Sequence, residues 1–351
     1  MSLTCSGIIV THSNCLMLTA AASPLLVGVG WNVQRVSRAS QQGAVAIRMI
    51  VVVDFACNVC GNRSGTAVVA SEIPSCRCGS NGRTRALIHL LSLELFNYSM
   101  PLPEFPKLKA IRGLGMTDSA TYARTLADKF EYTNTYYDRE PRMDFTEAHP
   151  TLYGTYDFIL SADVLEHVPP PIDRTLDEIA RLLKPHGFLI ATVPCPGVEL
   201  KEHFPDLYQY RLVPLGDRTI LVNRRRDGEL EITDRLSFHD GPGSTLEMRH
   251  LTIDALRAGL LRSGFSEVDF FTSDLPHLGI IFDSGASQPL SARKQRFTLD
   301  RAALAQLAEL WVQQRLEVGT MERLRKQMAL ASRSRWLRLG RLLGVGPPFA
   351  P

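Results

Sequence analysis

Tyr156-Asp-Phe-Ile-Leu-Ser161-Ala-Asp163-Val-Leu-Glu166-His167-Val168, then Pro169-Pro-Pro171, then Ile172 to Val193, is the stretch that decides the fold. The apolar run Phe158 to Leu160 ends in small and acidic residues, and the three prolines punctuate the chain. Beyond them Ile172, Leu176, Ile179, Leu182 and Leu183 recur at helical spacing and cover one face. Lys184-Pro185-His186-Gly187 stops that helix, and Phe188 to Val193 reads as a second buried strand. The pattern is one β-α-β unit of a parallel sheet. Ser161, Asp163, Glu166 and His167 stand at or just past the carboxyl end of its first strand, the edge where open α/β sheets hold ligands.

This block resembles the fourth strand, following helix and fifth strand of class I S-adenosylmethionine-dependent methyltransferases, where D-V-L-E-H-V and L-K-P-G-G recur. Asp163 to Val168 and Leu183 to Gly187 stand in those places, with His186 replacing the usual first glycine. The resemblance runs from about Lys107 to Phe282. It implies a Rossmann-like α/β fold with a doubly wound, mostly parallel, seven-stranded sheet, S-adenosyl-L-methionine as cofactor, and methyl transfer as the activity.

Working outward, Lys107 to Ile111 reads as the first core strand, followed by Arg112-Gly113-Leu-Gly115-Met-Thr117-Asp118 and a helix over 119–130. Glycines let the backbone approach a ligand closely. The family pattern is an acidic residue, then Gly-x-Gly-x-Gly. Only Gly113 and Gly115 match; Ile111 occupies the acidic slot and Thr117 the third glycine, so the order of elements carries this assignment. Glu131 to Asp138 alternates as a second strand. At its end the fold implies a carboxylate for the ribose hydroxyls, here Asp138 with Glu140 behind it. Asp144 and Phe145 resemble the family's adenine-contacting segment. Ser161, Asp163 and Glu166 complete the expected cofactor set.

Downstream, 200–250 reads as a long insertion without strong periodicity, a substrate lid containing Glu202-His203-Phe204 and Phe238-His239-Asp240. An amphipathic helix over 252–264 and an alternating strand over 265–271 resemble the family's closing helix-strand pair. An alcohol acceptor needs a base, and imidazole titrates near neutrality. His239 and His203 are the candidates, with His167 third.

Ahead of the sheet, Cys57-Asn-Val-Cys60 and Cys76-Arg-Cys78 lie 15 residues apart. Two such knuckles can close a tetrahedral zinc site, although Cys-x-Cys is one residue short of the usual spacing. Ser80-Asn-Gly-Arg83-Thr-Arg85 follows. The arrangement resembles bacterial type 11-like methyltransferases with a small Cys-rich, zinc-ribbon-like head. A zinc ribbon with two arginines also binds RNA, so an RNA methyltransferase stands as a rival reading. A non-catalytic binding protein, suggested by the worn glycine turn, stands as another.

Of 351 residues 45% are hydrophobic, the net charge is +3 and there are seven cysteines. The whole-chain charge makes no argument for nucleic acid. From Ser291 to Pro351 there are 12 Lys/Arg against 4 Asp/Glu, leaving the remainder acidic. Leu299 to Arg341 is helical in phase, and Ser332-Arg-Ser-Arg-Trp336-Leu-Arg-Leu-Gly-Arg341 mixes basic residues with Trp and Leu, as interfacial helices do. Similar endings occur in bacterial surface-polysaccharide enzymes. No apolar run reaches the roughly 18 residues needed to span a bilayer.

The expected organisation is therefore a disordered or misassigned extension over 1–48, a Cys-rich head with its helix over 49–100, a methyltransferase domain over 101–290 and a basic helical tail over 291–351. The expected protein is a cytoplasmic enzyme, peripheral at the inner membrane face. It acts on a small-molecule, glycan or glycolipid hydroxyl; the oligomeric state is open.

Overall fold

The computed structural model describes residues 32–35, 49–69, 75–195, 199–216, 218–238, 245–282 and 287–332. In chain order the strands and helices are β1 (Asn32–Arg35), β2 (Met49–Ala56), β3 (Arg63–Val69), α1 (Gly82–Phe96), β4 (Arg112–Met116), α2 (Ala120–Lys129), β5 (Glu131–Thr135), β6 (Tyr156–Ala162), α3 (Ile172–Leu182) and β7 (Leu183–Val193). Then come β8 (Lys201–Glu202), β9 (Gln209–Leu215), β10 (Arg218–Arg224), β11 (Leu230–Thr233), β12 (Arg249–His250), α4 (Ile253–Arg262), β13 (Glu267–Phe270), β14 (Gln288–Arg293) and α5 (Arg301–Ser332). Of the expected 1–48 extension, only β1 lies among the described residues; it pairs antiparallel with β2. Of the tail, 333–351 lies outside them, and with it most of the Trp336 segment.

The central sheet runs β13-β14-β7-β6-β4-β5. The four strands from β5 to β7 are parallel, and β14 and β13 turn antiparallel at one edge. The expectation of seven strands is corrected to six among the described residues. Between Thr135 and Tyr156 the chain makes bends, one 3-10 turn, Pro150–Leu152, and a single parallel bridge, Arg142 with Tyr136 just past β5, where a further strand would lie. Alternation along the strands sorts the core into two layers. Phe158, Leu160, Phe188 and Ile190 pack with Leu87 and Leu91 of α1 and Leu126 of α2. Ile159, Leu189 and Ala191 face the other way, against Ile179 of α3 and Leu256 and Leu260 of α4. Cys57, Val59 and Cys76 belong to the first layer, so the Cys-rich segment shares its core with the sheet.

A lysine–carboxylate tie fixes the strands at their amino ends. Lys184 donates to both Asp157 oxygens (2.9 and 2.8 Å), and Arg112 N–H donates to Asp157 Oδ2 at 2.8 Å, joining β4, β6 and β7.

The glycine stretch differs from expectation. The first core strand is Arg112–Met116, so Gly113 and Gly115 lie inside β4 and not in the turn after it. A Cβ on Gly113 would run into the Phe158 ring, and one on Gly115 into the Tyr132 hydroxyl and the Asp118 carboxylate. Both glycines are selected by packing.

The 200–250 insertion is also better ordered than its sequence suggests. β9, β10 and β11 form an antiparallel sheet, and β8 with β12 closes its base. Leu221, Leu246 and Met248 are its buried centre. Gly216 and Gly228, with φ of 62° and 93°, make the two hairpin turns.

Gly115→Ala is expected to lower folding stability by about 1–3 kcal/mol through overpacking, read as the urea midpoint. An unchanged midpoint would contradict the packing role.

Candidate functional site

The carboxyl ends of β4, β5 and β6 border a cavity of about 630 Å³. At the end of β4, Thr117 adopts φ 58°, and just past β6, Asp163 adopts φ 52°. Left-handed backbone is uncommon outside glycine, and such strain concentrates at ligand sites. Here it lies at the ends of two paired strands, and both Thr117 and Asp163 line the cleft beyond them.

Buried hydrogen bonds hold each turn. Asp118 is 4% exposed; Tyr122 donates to its Oδ1 at 2.6 Å and Tyr132 donates to Oδ2. Asn134 clasps the same residue, accepting from its N–H and donating to its C=O, both at 2.8 Å. Burial pushes the Asp118 carboxyl up to about 7, with the two phenol donors pulling against it. Asp163 accepts from Thr192 Oγ1 at 2.8 Å and from Ser287 Oγ at 2.9 Å, and pairs with Arg83. It therefore draws β7, β14 and the first turn of α1 onto the end of β6.

The structure sorts the expected residues as follows. Asp138, Asp144, Phe145, Asp163 and His167 line the cavity. Asp138 is exposed at the lip beyond β5. Asp144 Oδ1 accepts from the Thr146 N–H and hydroxyl at 2.8 and 2.7 Å, which shapes the turn carrying Phe145. Gly113, Gly115, Ser161 and Glu166 are not among the lining residues. Ser161 is fully buried within β6, and Glu166 is fully buried behind His167. Glu166 Oε1 lies 3.6 Å from His167 Nε2, and burial pushes its carboxyl up to about 7. His167 Nδ1 donates to Leu246 C=O at 2.9 Å, which leaves Nε2 as the basic nitrogen. His203 is not a lining residue and its Nε2 is sealed from solvent; His239 lies outside the described residues.

Arg83, Thr117, Tyr210 and Thr245 also line the cavity. Arg83 arrives on α1 and the last two on the insertion, elements whose approach no local pattern announces. A second depression, of about 600 Å³, flanks α3. In its charged lining Arg174 pairs with Glu147 and Arg181 with Glu178, while Asp173 pairs with Arg262 of α4, and it lies away from the strand ends.

The four cysteines converge. Cys57 and Cys78 sulfurs are 3.8 Å apart and those of Cys60 and Cys76 3.7 Å, with all four within 4.8 Å of one another and none in a disulfide. A tight turn presents each knuckle: Gly61 N–H to Cys57 C=O (2.7 Å) for Cys57 and Cys60, and Gly79 N–H to Cys76 C=O (2.9 Å) for Cys76 and Cys78. Buried Arg85 donates to Ser80 C=O (2.8 Å) and Gly279 C=O (2.7 Å), stacks on Phe55, and feels the charges of Cys57, Cys76 and Cys78.

Residues 106–221 match the family profile described as a methyltransferase domain. No curated protein matches the chain in sequence. Among solved structures it is similar to the Burkholderia thailandensis 1,6-didemethyltoxoflavin N1-methyltransferase (16% identity, TM-score 0.34, covering 61% of this chain and 78% of that one). It is also similar to a putative S-adenosylmethionine-dependent methyltransferase from Listeria monocytogenes (14%, 0.36, 60% and 98%). A third is an amino pentose methyltransferase from Micromonospora echinaspora (13%, 0.34, 61% and 92%). Residues 106–221 therefore carry a methyltransferase domain.

Because burial raises the folded pKa of Asp118 from 3.8 to about 7, its contribution to stability is greatest below the lower value and is lost as pH rises through the upper one. Asp118→Asn should flatten that decline in urea midpoints measured across the same pH range. Identical pH profiles for variant and wild type would contradict the burial account.

Proposed function

We propose that this class I methyltransferase transfers a methyl group to a hydroxyl of a small-molecule, glycan or glycolipid acceptor, using His167 as the base. The observation that carries the reading is the cavity at the carboxyl ends of β4, β5 and β6, lined mostly by residues that match the methyltransferase family, with Arg83 and Thr245 added from outside them. Its volume lies in the usual range of about 300–1,000 Å³ for small-molecule sites.

The residues present fit the cofactor. The Asp138 carboxylate at the lip suits two ribose hydroxyls. Asp144 and buried Phe145 offer an acceptor and an apolar wall for adenine. The Thr117 turn leads into the amino end of α2, whose backbone N–H groups favour a carboxylate. When bound, the cofactor supplies a sulfonium methyl already activated for transfer, so alignment and exclusion of water are the protein's main tasks.

His167 meets the requirements of a base. The Leu246 carbonyl holds its Nδ1–H, which fixes the tautomer and leaves the proton-accepting role to Nε2. Glu166, with its carboxyl near 7, stabilises the imidazolium that results. Exposed Tyr137 beside the cavity and Tyr210 from the insertion give flat surfaces on which a sugar ring can stack.

The basic tail supports a cytoplasmic enzyme seated at an anionic membrane face. No helix among the described residues is long and apolar enough to cross a membrane, whereas the outer turns of α5 leave Trp311, Leu316 and Leu330 exposed.

In the head we propose structural zinc. Around a tetrahedral zinc at about 2.3 Å the sulfurs stand roughly 3.8 Å apart, which agrees with the spacings here. A bound tetrathiolate would also supply the negative charge beside buried Arg85.

Two outcomes test this section. Purified protein given labelled methyl donor and fractionated cell extract should label saccharide or lipid-linked saccharide. His167→Ala should lower turnover by about 10²–10⁴-fold at nearly constant donor affinity. Label appearing in RNA instead, or equal losses of turnover and affinity, would contradict it. For the head, titration with a mercurial reagent should release thiolate-bound zinc from wild type and none from Cys57→Ser; no release from wild type would remove the metal.

A further inference from the structure

The two ends of the insertion meet where β8 pairs with β12, and three side chains gathered there take no part in the cavity. His203 follows β8, Glu247 lies two residues before β12, and His250 ends it. One ligand atom from each lies within 4.8 Å of the other two. The His203 and His250 rings meet edge-on, centroids 4.7 Å apart, and His250 Nε2 is 3.5 Å from the Glu247 carboxylate. His203 Nε2 is sealed from solvent yet has no hydrogen-bond partner among the described residues. A buried polar atom without a partner is expensive, and in native proteins it usually marks a ligand, ion or water.

The backbone holds this cluster in place without help from the three side chains. His203 N–H donates to Met248 C=O at 2.9 Å, and Met248 N–H to Glu166 C=O at 2.8 Å. Arg249, fully buried, donates to Leu165 C=O at 2.7 Å and to Glu202 Oε1 at 2.8 Å. The register Arg249 with Glu202 and His250 with Lys201 then sets the two imidazoles on one side of the ribbon's end.

We propose that His203, Glu247 and His250 bind a first-row divalent cation of the zinc class, which clips the base of the insertion shut. Two imidazoles and one carboxylate suit zinc, cobalt or manganese, whereas calcium and magnesium prefer all-oxygen sets. Burial and the neighbouring His250 hold the His203 pKa below its usual value, so the ring is in the neutral form that ligates. The His250 side chain is 40% exposed, leaving the remaining coordination position to water. A metal joining His203 to Glu247 and His250 closes the long loop between them, where a clip limits the open state most. Tyr210 and Thr245 lie within that loop and line the cavity, so the clip would set the acceptor side of the site while leaving the cofactor side to the sheet.

Cobalt(II) titration of the full chain tests this, because thiolate ligands give intense sulfur-to-metal charge-transfer absorption and a His₂Glu set gives only weak ligand-field bands. Wild type should show a thiolate-free component that saturates at one equivalent. His203→Ala and Glu247→Gln should each weaken that component by about tenfold or more without altering any thiolate component. Zinc should slow hydrogen exchange across 201–250 in wild type and not in Glu247→Gln, which keeps the side-chain volume and so serves if His203→Ala folds poorly. Absence of a thiolate-free component, or its survival at unchanged affinity in Glu247→Gln, would overturn the site.

Discussion

Asp163 sits where four elements converge, and its carboxylate is the tie between them. Thr192 of β7, Ser287 ahead of β14 and Arg83 of α1 all bind it, while its own backbone is held in the left-handed region at the end of β6. With the Asp163 N–H bond to Thr192 C=O, that tie sets the angle at which the chain leaves β6; further on, Arg249, Met248 and Leu246 hold Leu165, Glu166 and His167 along the path that walls the cavity. Asp118 serves the neighbouring strand in the same manner, gripped by Tyr122, Tyr132 and Asn134. β4 and β6 stay paired through Met116 and Ser161, and the two turns redirect the chain just past those ends, where the cleft lies. Charge-assisted hydrogen bonds of this buried kind contribute more than neutral ones, roughly 1.5–3 kcal/mol each.

The β-α-β block was legible because each of its signals is local. Ile172 to Leu182 forms the expected helix, and Phe188 to Val193 lies in a strand that begins five residues earlier, at Leu183. The glycine stretch misled because its two readings look alike in one sequence. A Gly-x-Gly that admits a ligand and a Gly-x-Gly that admits Phe158 and Tyr132 differ only in what packs beneath, and that partner comes from other strands. The strand count missed for a similar reason: between Thr135 and Tyr156 no hydrophobic run marks the loss or presence of a further strand, and the structure leaves there only a bridge of Arg142 to Tyr136.

The insertion shows where periodicity was under-read. Tyr210, Leu212 and Leu221 alternate across two paired strands, and the Gly-Asp at 216–217 of the sequence is a hairpin signal of ordinary strength. Arg83 and Tyr210 could not be tied to the cavity beforehand, since each reaches it through a long-range contact. The cysteine cluster was readable from spacing, but its burial against the first core layer was not; α1 carries the head into the sheet, and with it Arg85 beneath the sulfurs and Arg83 beside Asp163.

The account rests on the cleft between β4 and β6 receiving the methyl donor from the side where Asp138 stands. Calorimetric titration of the purified chain with S-adenosylhomocysteine, set beside the same titration of Asp138→Ala, is the most direct measurement. The account predicts one binding site in wild type and an affinity lowered by about tenfold or more in the variant, in line with loss of hydrogen bonds to a charged group. No binding by the folded wild-type chain, or equal affinity in both proteins, would contradict it.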